Sequence, residues 1–276
     1  MYKTFAAVTI SMLIAAIAAV AQPASTAPPE VIKDLAPTGT LRAAINAGNV
    51  VLVQKDASGV HGVTVDLANE LARRLGTPLA LTVYDAAGKV TDAVKNGEWD
   101  VAFLAIEPVR AAVIGFTAPY VIIEGTYVVA ADSPLKTIAD VDHDGIRIAV
   151  AKGSAYDLFL TRTLQHATLV RYPSPSLGFE GFIADKLDAA AGVRQFLDAF
   201  AKTRPDMRVM PEHFQEIREA MGTPLGRDAG LQYLKAFVEE MKASGFVCKI
   251  ARTRRPGRRR HRTGGEVMLG SAGAKN

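Results

Sequence analysis

Arg110 carries the clearest chemical signal in this sequence. It follows a short apolar segment at residues 100–104, and the Pro108-Val109 pair before it is typical of the start of a helix. The five N–H donors of a guanidinium match a carboxylate through two parallel hydrogen bonds, and free N–H groups in a helix first turn add positive potential nearby. A lone Arg is more often a solvated surface charge, so the residues around Arg110 must decide between the two interpretations.

The segments around Arg110 are similar, in their order and spacing, to those of a known family. They are Gly62-Val-Thr-Val-Asp66 with Gly76, Asn96-Gly-Glu-Trp-Asp100, Pro108-Val-Arg110, and Phe116-Thr-Ala-Pro-Tyr120. Over roughly residues 41–246 the chain resembles the periplasmic solute-binding proteins of ABC transporters, polar amino acid type (bacterial extracellular solute-binding protein family 3). The resemblance implies a type II periplasmic binding fold with two lobes. It also implies that Arg110 binds the α-carboxylate of the ligand.

Ser154 provides a second candidate contact for the same carboxylate. Lys152-Gly-Ser154 follows an apolar segment at residues 146–150 and precedes a predicted helix, so the Ser154 hydroxyl and the nearby amides are placed to hold an anion. The family has a Gly-Ser or Gly-Thr pair here, which implies the same role. The alternative is that Ser154 only caps its helix.

One position departs from the family pattern. In amino acid binders of the family, the strand corresponding to residues 188–193 ends in a carboxylate that pairs with the ligand ammonium, whereas this chain has Val193. An unpaired buried ammonium is costly, so either another acid replaces it or the ligand has no amine. Glu107 is the candidate replacement, although pairing with Arg110 is an equal alternative. Arg194 would add a second positive group and would favour a dicarboxylate or another anion.

The loop after the first predicted strand is polar where the family commonly has an aromatic residue. Asn46 and Asn49 are therefore candidates for hydrogen bonds to the ligand, with ordinary turn chemistry as the alternative. Tyr120 is among the aromatic residues nearest to Arg110 in the sequence. It is a candidate wall of the cleft, or a core residue.

Short apolar segments alternate with amphipathic ones, which predicts an α/β fold with mainly parallel sheets flanked by helices. Predicted strands cover residues 41–45, 79–84, 100–104, 126–130, 146–150, 168–171, 188–191 and 207–210. Predicted helices cover residues 64–75, 89–96, 108–114, 155–165, 177–184, 193–202 and 227–244.

The chain is predicted to cross between the two lobes twice, at residues 119–134 and 216–227, and these two crossings are predicted to form a hinge. Residues 37–128 together with 222–248 would form the first lobe, and residues 129–221 the second. The ligand cleft is expected between the lobes, at the carboxyl ends of the strands.

The N-terminal residues predict export to the periplasm. Met1-Tyr-Lys3 is a short basic start, residues 6–20 are almost entirely apolar, and Ala19-Val-Ala21 is a small-x-small cleavage site. Residues 1–21 are therefore interpreted as a secretory signal peptide. A membrane anchor is the alternative, but the apolar run is shorter than the roughly 20 residues that a spanning helix needs.

The C-terminal residues are strongly basic. Residues 249–276 hold nine Lys or Arg against one acid, Glu266, although the whole chain has a net charge of only +4. This tail has no helical or strand period, which predicts disorder. A changed reading frame near the end of the gene is our hypothesis for its origin. The tail has no aromatic residues that would stack on bases, so nucleic acid is not an expected partner.

Cofactor and metal chemistry are not expected. The histidines have no metal-binding spacing, Cys248 is the only cysteine, and the sequence has neither a Walker A motif nor a G-x-G-x-x-G motif. The expected protein is a monomer that captures a small carboxylate, an amino acid or a close analogue on family grounds, and delivers it to an ABC transporter permease. The alternatives are a ligand-sensing receptor and a cleft enzyme of the cyclohexadienyl dehydratase type, in which a carboxylate such as Glu107 would do acid–base work.

Overall fold

A computed structural model describes residues 27–247, so the predicted signal peptide and the whole of the predicted basic tail lie outside the described residues. Eight α-helices lie within that range: α1 Pro29–Leu35, α2 Val63–Leu75, α3 Ala87–Ala93, α4 Pro108–Ala111, α5 Ala155–Thr163, α6 Pro175–Ala184, α7 Arg194–Lys202 and α8 Asp228–Ala243. Eleven strands lie within it: β1 Leu41–Asn46, β2 Gln54–Asp56, β3 Gly59–His61, β4 Leu79–Tyr84, β5 Val101–Ala105, β6 Ile114–Ala130, β7 Arg147–Ala151, β8 Thr168–Tyr172, β9 Ala189–Val193, β10 Met207–Val209 and β11 Gln215–Pro224.

The first lobe is built on the parallel strands β4, β1 and β5, in that order. Helix α2 covers this sheet because Leu67, Leu71 and Leu75 recur at four-residue steps and are completely buried. The helix ends at Gly76, whose left-handed backbone (φ 64°) caps the last turn. Crossover helices between parallel strands leave the carboxyl ends of β1 and β5 free to carry side chains of a binding site.

The second lobe repeats this construction with the parallel strands β9, β7 and β8. Its strands are short and apolar: the side chains of Ile148, Val150 and Ala189 are almost fully buried. Helix α5 begins directly after β7 and helix α7 directly after β9. The carboxyl ends of β7 and β9 therefore face the same side of the second lobe.

Two long antiparallel strands, β6 and β11, join the lobes into one path of hydrogen-bonded strands, in the order β4-β1-β5-β11-β6-β9-β7-β8. Strand β11 pairs with β5 at one edge and with β6 at the other, while the far end of β6 pairs with β9 and β10. The pairing of β11 with β6 has register shifts at Glu219–Ala220 and between Ala220 and Gly222. This architecture confirms the predicted two-lobed α/β fold with two crossings.

The sequence pattern did not predict the form of the crossings. Residues 216–227 were predicted as a crossing without an assigned strand, and within the other crossing a strand was predicted only at residues 126–130, whereas β11 and β6 are continuous strands of ten and 17 residues. Gly115, Pro119, Gly125, Gly222 and Pro224 lie in these strands, and such residues usually mark turns. Here the pairing of β6 with β11 overrides the local preference.

Helix α1 and the β2–β3 hairpin were not predicted. Helix α1 is held by the C-terminal helix, where the absence of a side chain at Gly230 allows Leu35 and Asp34 to approach α8 closely. Within residues 27–247, no helix is long and apolar enough to cross a membrane.

Candidate functional site

A cavity lies between the two lobes, at the carboxyl ends of β1, β5, β7 and β9. The empty space that it encloses, together with its open mouth, is about 620 Å³. The residues that line it include Asn46, Gly48, Asn49, Val50, Val51, Leu104, Ala105, Arg110, Ser154, Ala155, Tyr156, Phe179, Val193, Phe196, Ile217 and Glu219. Among the described residues of the lining, Arg110 and Glu219 are the two charged ones, and most of the remaining side chains are apolar.

Arg110 lies on the wall of this cavity and is only 1% exposed. Its Nη1 donates a hydrogen bond to the carbonyl of Ala105 in its own lobe (2.9 Å), and its Nη2 donates to the carbonyl of Gly153 in the other lobe (2.8 Å). The buried Nε–H has no hydrogen-bond partner among residues 27–247. Burial lowers the pKa of Arg110, and the negative charges of Glu219 and Glu107 oppose that shift. An arginine remains charged at neutral pH even so.

Ser154 lies across the cavity from α4, at the N-cap of α5. Its hydroxyl accepts a hydrogen bond from the backbone N–H of Asp157 (3.0 Å), which is the capping role that the sequence left open. The residue is 7% exposed and also lines the cavity. The positive end of α5 and the guanidinium of Arg110 thus border the same space, as an anion site requires.

Glu219 is the residue that the sequence analysis missed. It lies on β11, opposite Ala105 of β5, and is 6% exposed. Asn49 Nδ2 donates a hydrogen bond to its Oε1 (3.1 Å). Burial raises the pKa of the Glu219 carboxyl to about 7, although the positive charge of Arg110 and the Asn49 hydrogen bond lower it.

A local signal for Glu219 is present in the sequence. Over residues 215–219 of β11 the buried and exposed positions alternate, with Gln215, Ile217 and Glu219 buried. An acidic residue at a buried position of a strand is unusual and indicates a hydrogen-bond partner, an ion-pair partner or a binding site. This alternation was missed because no strand was predicted within the crossing at residues 216–227.

Three of the other predicted site residues also line the cavity: Asn46, Asn49 and Val193. The Oδ1 of Asn46 accepts the backbone N–H of Gly48 (3.1 Å), so this residue does perform turn chemistry. The buried Oδ1 of Asn49 has no partner among residues 27–247. Val193, at the end of β9, contributes an apolar surface.

The remaining three predicted residues are not in the cavity lining. Tyr120 is 2% exposed and packs edge-on against Phe103, with ring centroids 6.2 Å apart. Arg194 is paired with Glu124 and donates to the carbonyls of residues 210–212. Glu107, 1% exposed, accepts hydrogen bonds from Arg162 Nη1 (2.6 Å) and Gln215 Nε2 (2.7 Å). The structure therefore places Glu107 and Arg194 in contacts other than those expected from the sequence.

The Glu107–Arg162 ion pair joins the lobes, because Glu107 precedes α4 and Arg162 lies on α5. We expect Arg162→Gln to weaken ligand binding by roughly two- to tenfold, mainly through faster dissociation, since the half-exposed Arg162 is screened but the Glu107 carboxylate is buried. Stopped-flow measurement of the dissociation rate tests this expectation. Arg162→Lys is the matched control, because it keeps the charge; an unchanged dissociation rate in Arg162→Gln would show that the pair does not hold the lobes together.

A further contact between the lobes is made by backbone alone. A Cβ added at Gly88 of α3 would lie 2.7 Å from the carbonyl oxygen of Lys152, and one added at Gly153 would lie 2.8 Å from Gly88 Cα. Gly153 also has a left-handed backbone (φ 71°), which favours glycine. The two glycines thus allow the lobes to touch beside the cavity.

Comparison with known proteins agrees with this geometry. Residues 41–253 match the family model of bacterial extracellular solute-binding proteins, family 3. The glutamine-binding protein of Geobacillus stearothermophilus is 23% identical over 176 residues, which cover 62% of this chain and 67% of that protein. The chain belongs to the bacterial extracellular solute-binding proteins, family 3.

Solved structures show the same fold. An amino acid ABC transporter substrate-binding protein from Streptococcus pneumoniae, bound to L-arginine, aligns with a TM-score of 0.70 at 21% identity, over 80% of this chain and 97% of that chain. The solute receptor for L-cysteine of Neisseria gonorrhoeae aligns with a TM-score of 0.70 at 22% identity, over 80% of this chain and 91% of that chain. These neighbours are two-lobed binding proteins, and the fold of this chain is theirs.

Proposed function

We propose that this protein is the exported substrate-binding component of an ABC uptake system, and that it captures a small carboxylate in the cavity between its lobes. The observation that carries the proposal is Arg110, a guanidinium that is 1% exposed, borders the cavity, and has a buried Nε–H without a partner among the described residues. An arginine retains its charge at neutral pH and matches a carboxylate geometrically. Ser154 and the first turn of α5 supply the opposing donors.

Family membership supports an amino acid or a close analogue as the ligand. The related proteins described above bind glutamine, L-arginine or L-cysteine according to their names. The lobes themselves are proposed to comprise residues 37–128 with 222–248, and residues 129–221. Delivery to a membrane permease, a periplasmic location and a monomeric state complete the proposal.

A thermal-shift screen tests the proposed capture of a carboxylate. The L-amino acids and a set of amine-free carboxylic acids are added singly to the purified protein, and hits are confirmed by calorimetry. We expect at least one carboxylate to raise the unfolding midpoint, because a ligand that binds only the folded state stabilises it by about 2.7 kcal/mol at one hundred times its Kd. Neutral amides of the same compounds are the control. Stabilisation by the amides alone would contradict the proposal.

The cavity gives less support to a dehydratase-like enzyme. Acid–base catalysis of that kind uses paired groups, and Glu219 is the one carboxylate among the cavity-lining residues of the described chain. Glu107, the sequence-based candidate for this work, is held by Arg162 and Gln215 outside the lining. Incubation with arogenate or prephenate, followed by the absorbance of an aromatic product, tests this alternative directly.

A further inference from the structure

The cavity presents one positive and one negative buried group, and these two do not contact each other. Arg110 is 1% exposed and Glu219 is 6% exposed, and both line the cavity. Within residues 27–247, the ion pairs of the structure do not include one between them. Two unlike charges that border the same enclosed space without touching leave room for a ligand that meets both.

Strand pairing explains why the two charges lie so near each other. Glu219 is opposite Ala105 across the β11–β5 pairing, and the carbonyl of Ala105 is also the acceptor for Arg110 Nη1. Both groups are therefore positioned by the same residue of β5. Only Oε1 of Glu219 accepts a hydrogen bond from the described residues, and its donor is Asn49. The carboxylate can therefore accept further hydrogen bonds from a ligand.

Charge balance selects the kind of ligand. With Arg110 positive and Glu219 negative, the cavity lining is neutral overall, and a zwitterion keeps it neutral while pairing both charges. An amine-free anion would leave the buried Glu219 charge without an ionic partner, which costs free energy, or would bind together with a proton on Glu219. The rest of the lining is largely apolar and includes Val50, Leu104, Phe179, Phe196 and Ile217.

We propose that Glu219 binds the ammonium group of a zwitterionic α-amino acid whose side chain is small and apolar, while Arg110 binds its carboxylate. This inference rests on the proposed capture of a carboxylate in the same cavity. The partner of the ammonium group would then lie on β11, which returns between the lobes, and not at the end of β9, where this chain has Val193. Specificity for the amine is then set by a residue of the hinge itself.

The inference implies that binding releases a proton at acidic pH. Burial raises the pKa of Glu219 to about 7 in the ligand-free protein, whereas a bound ammonium favours the ionised carboxylate. Affinity for the amino acid therefore falls as the pH drops through that value, because a protonated Glu219 must first lose its proton. An amine-free acid gives the opposite slope, since it binds more readily when Glu219 is protonated.

Within residues 27–247, the other charged and titratable groups around Glu219 lie on α4, β6 and α5. Arg110 stays charged, and burial keeps the pKa of Tyr120 well above its ordinary value and raises that of Tyr156 to about 12. Asn49 does not titrate. On α5, which packs against β11, Asp157 is paired with Arg171, and Arg162 is paired with Glu107.

The test compares matched ligands by calorimetry on the wild type and on two variants. L-valine and L-leucine are measured beside their amine-free counterparts, isovalerate and isocaproate, and beside L-arginine and L-glutamate. We expect the two apolar amino acids to bind most tightly, and Glu219→Gln to weaken them by roughly tenfold or more. Glu216→Gln is the matched control, because Glu216 lies on the same strand but is exposed. It should leave the affinity unchanged.

The pH series provides a readout that requires no variant. Between pH 8 and pH 5.5 the affinity of the wild type for L-valine should fall by roughly tenfold or more, and this slope should vanish in Glu219→Gln. Tighter binding of isovalerate than of L-valine would overturn the inference and leave carboxylate capture intact. A preference for L-arginine or L-glutamate would contradict the expectation that the ligand has an apolar side chain. If no acid or amino acid binds the wild type, the proposed function itself fails.

Discussion

Arg110→Ala is expected to reduce the affinity for the best carboxylate of the screen by roughly 30-fold or more, because loss of a buried charge-assisted contact costs about 2–5 kcal/mol. The effect should be large for two reasons. The guanidinium is 1% exposed, so bulk water cannot replace it, and its Nη2 also bridges to Gly153 of the other lobe. Calorimetry gives the affinity directly. Circular dichroism of the variant checks that the protein remains folded.

Two further variants separate charge from geometry. Arg110→Lys keeps the positive charge but loses the planar guanidinium that can form two parallel hydrogen bonds to a carboxylate. This variant should therefore bind the ligand more weakly than the wild type and more tightly than Arg110→Ala. Arg194→Gln is the matched control: Arg194 pairs with Glu124 outside the cavity lining, and its removal should change affinity by less than about threefold, about 0.6 kcal/mol. Wild-type affinity in Arg110→Ala would refute Arg110 as the anchor.

Gly88→Val is expected to weaken binding by roughly 5- to 150-fold without touching any group that contacts the ligand. A side chain at Gly88 meets the Lys152 carbonyl at 2.7 Å, and relieving that clash means moving the lobes apart. Overpacking of this kind costs about 1–3 kcal/mol. Because the clash exists only when the lobes are in contact, we expect the penalty to weaken the ligand-bound form, in which both lobes contact the ligand.

Small-angle scattering and calorimetry together test this expectation. With saturating ligand, the wild type should become more compact than Gly88→Val. Gly178→Val is the matched control for placing the same side chain on a helical glycine, since its Cβ would meet its nearest atoms at an ordinary 3.9 Å within one lobe. Equal affinity and equal compaction in Gly88→Val would mean that contact between Gly88 and Gly153 is not needed for binding.

Much of the fold could be predicted from local pattern. Helix α2 was predicted at residues 64–75 and lies at Val63–Leu75, because its leucines recur at four-residue steps and Gly76 ends it. Strands β1, β4 and β7 were likewise predicted within one residue of their bounds. Strands β6 and β11 were not, because their Gly and Pro residues indicate turns locally. Only the pairing of these two strands along most of their length makes them regular.

The residues of the candidate site also fall into two groups: those that the sequence identified and those whose contacts depend on the fold. Arg110 and Ser154 were identified because each follows a strand at the start of a helix, a position that the sequence makes visible. The partners of Glu107 and Arg194 were misjudged because they lie far away in the chain: Arg162 is 55 residues from Glu107, and Glu124 is 70 residues from Arg194. Proximity in sequence suggested that Glu107 would compete for Arg110, but folding brings Arg162 and Gln215 closer.

The sequence by itself determined the class of fold, the position of the candidate anchor Arg110 after a strand, and the helix cap at Ser154, because periodicity and capping act over a few residues. Only the tertiary structure decided which acid lies beside that anchor. Glu219 enters the cavity because β11 pairs with β5 at Ala105, a contact between residues more than a hundred positions apart. Its raised pKa has the same origin, since burial depends on what the other elements pack around the carboxylate rather than on its neighbours in the chain.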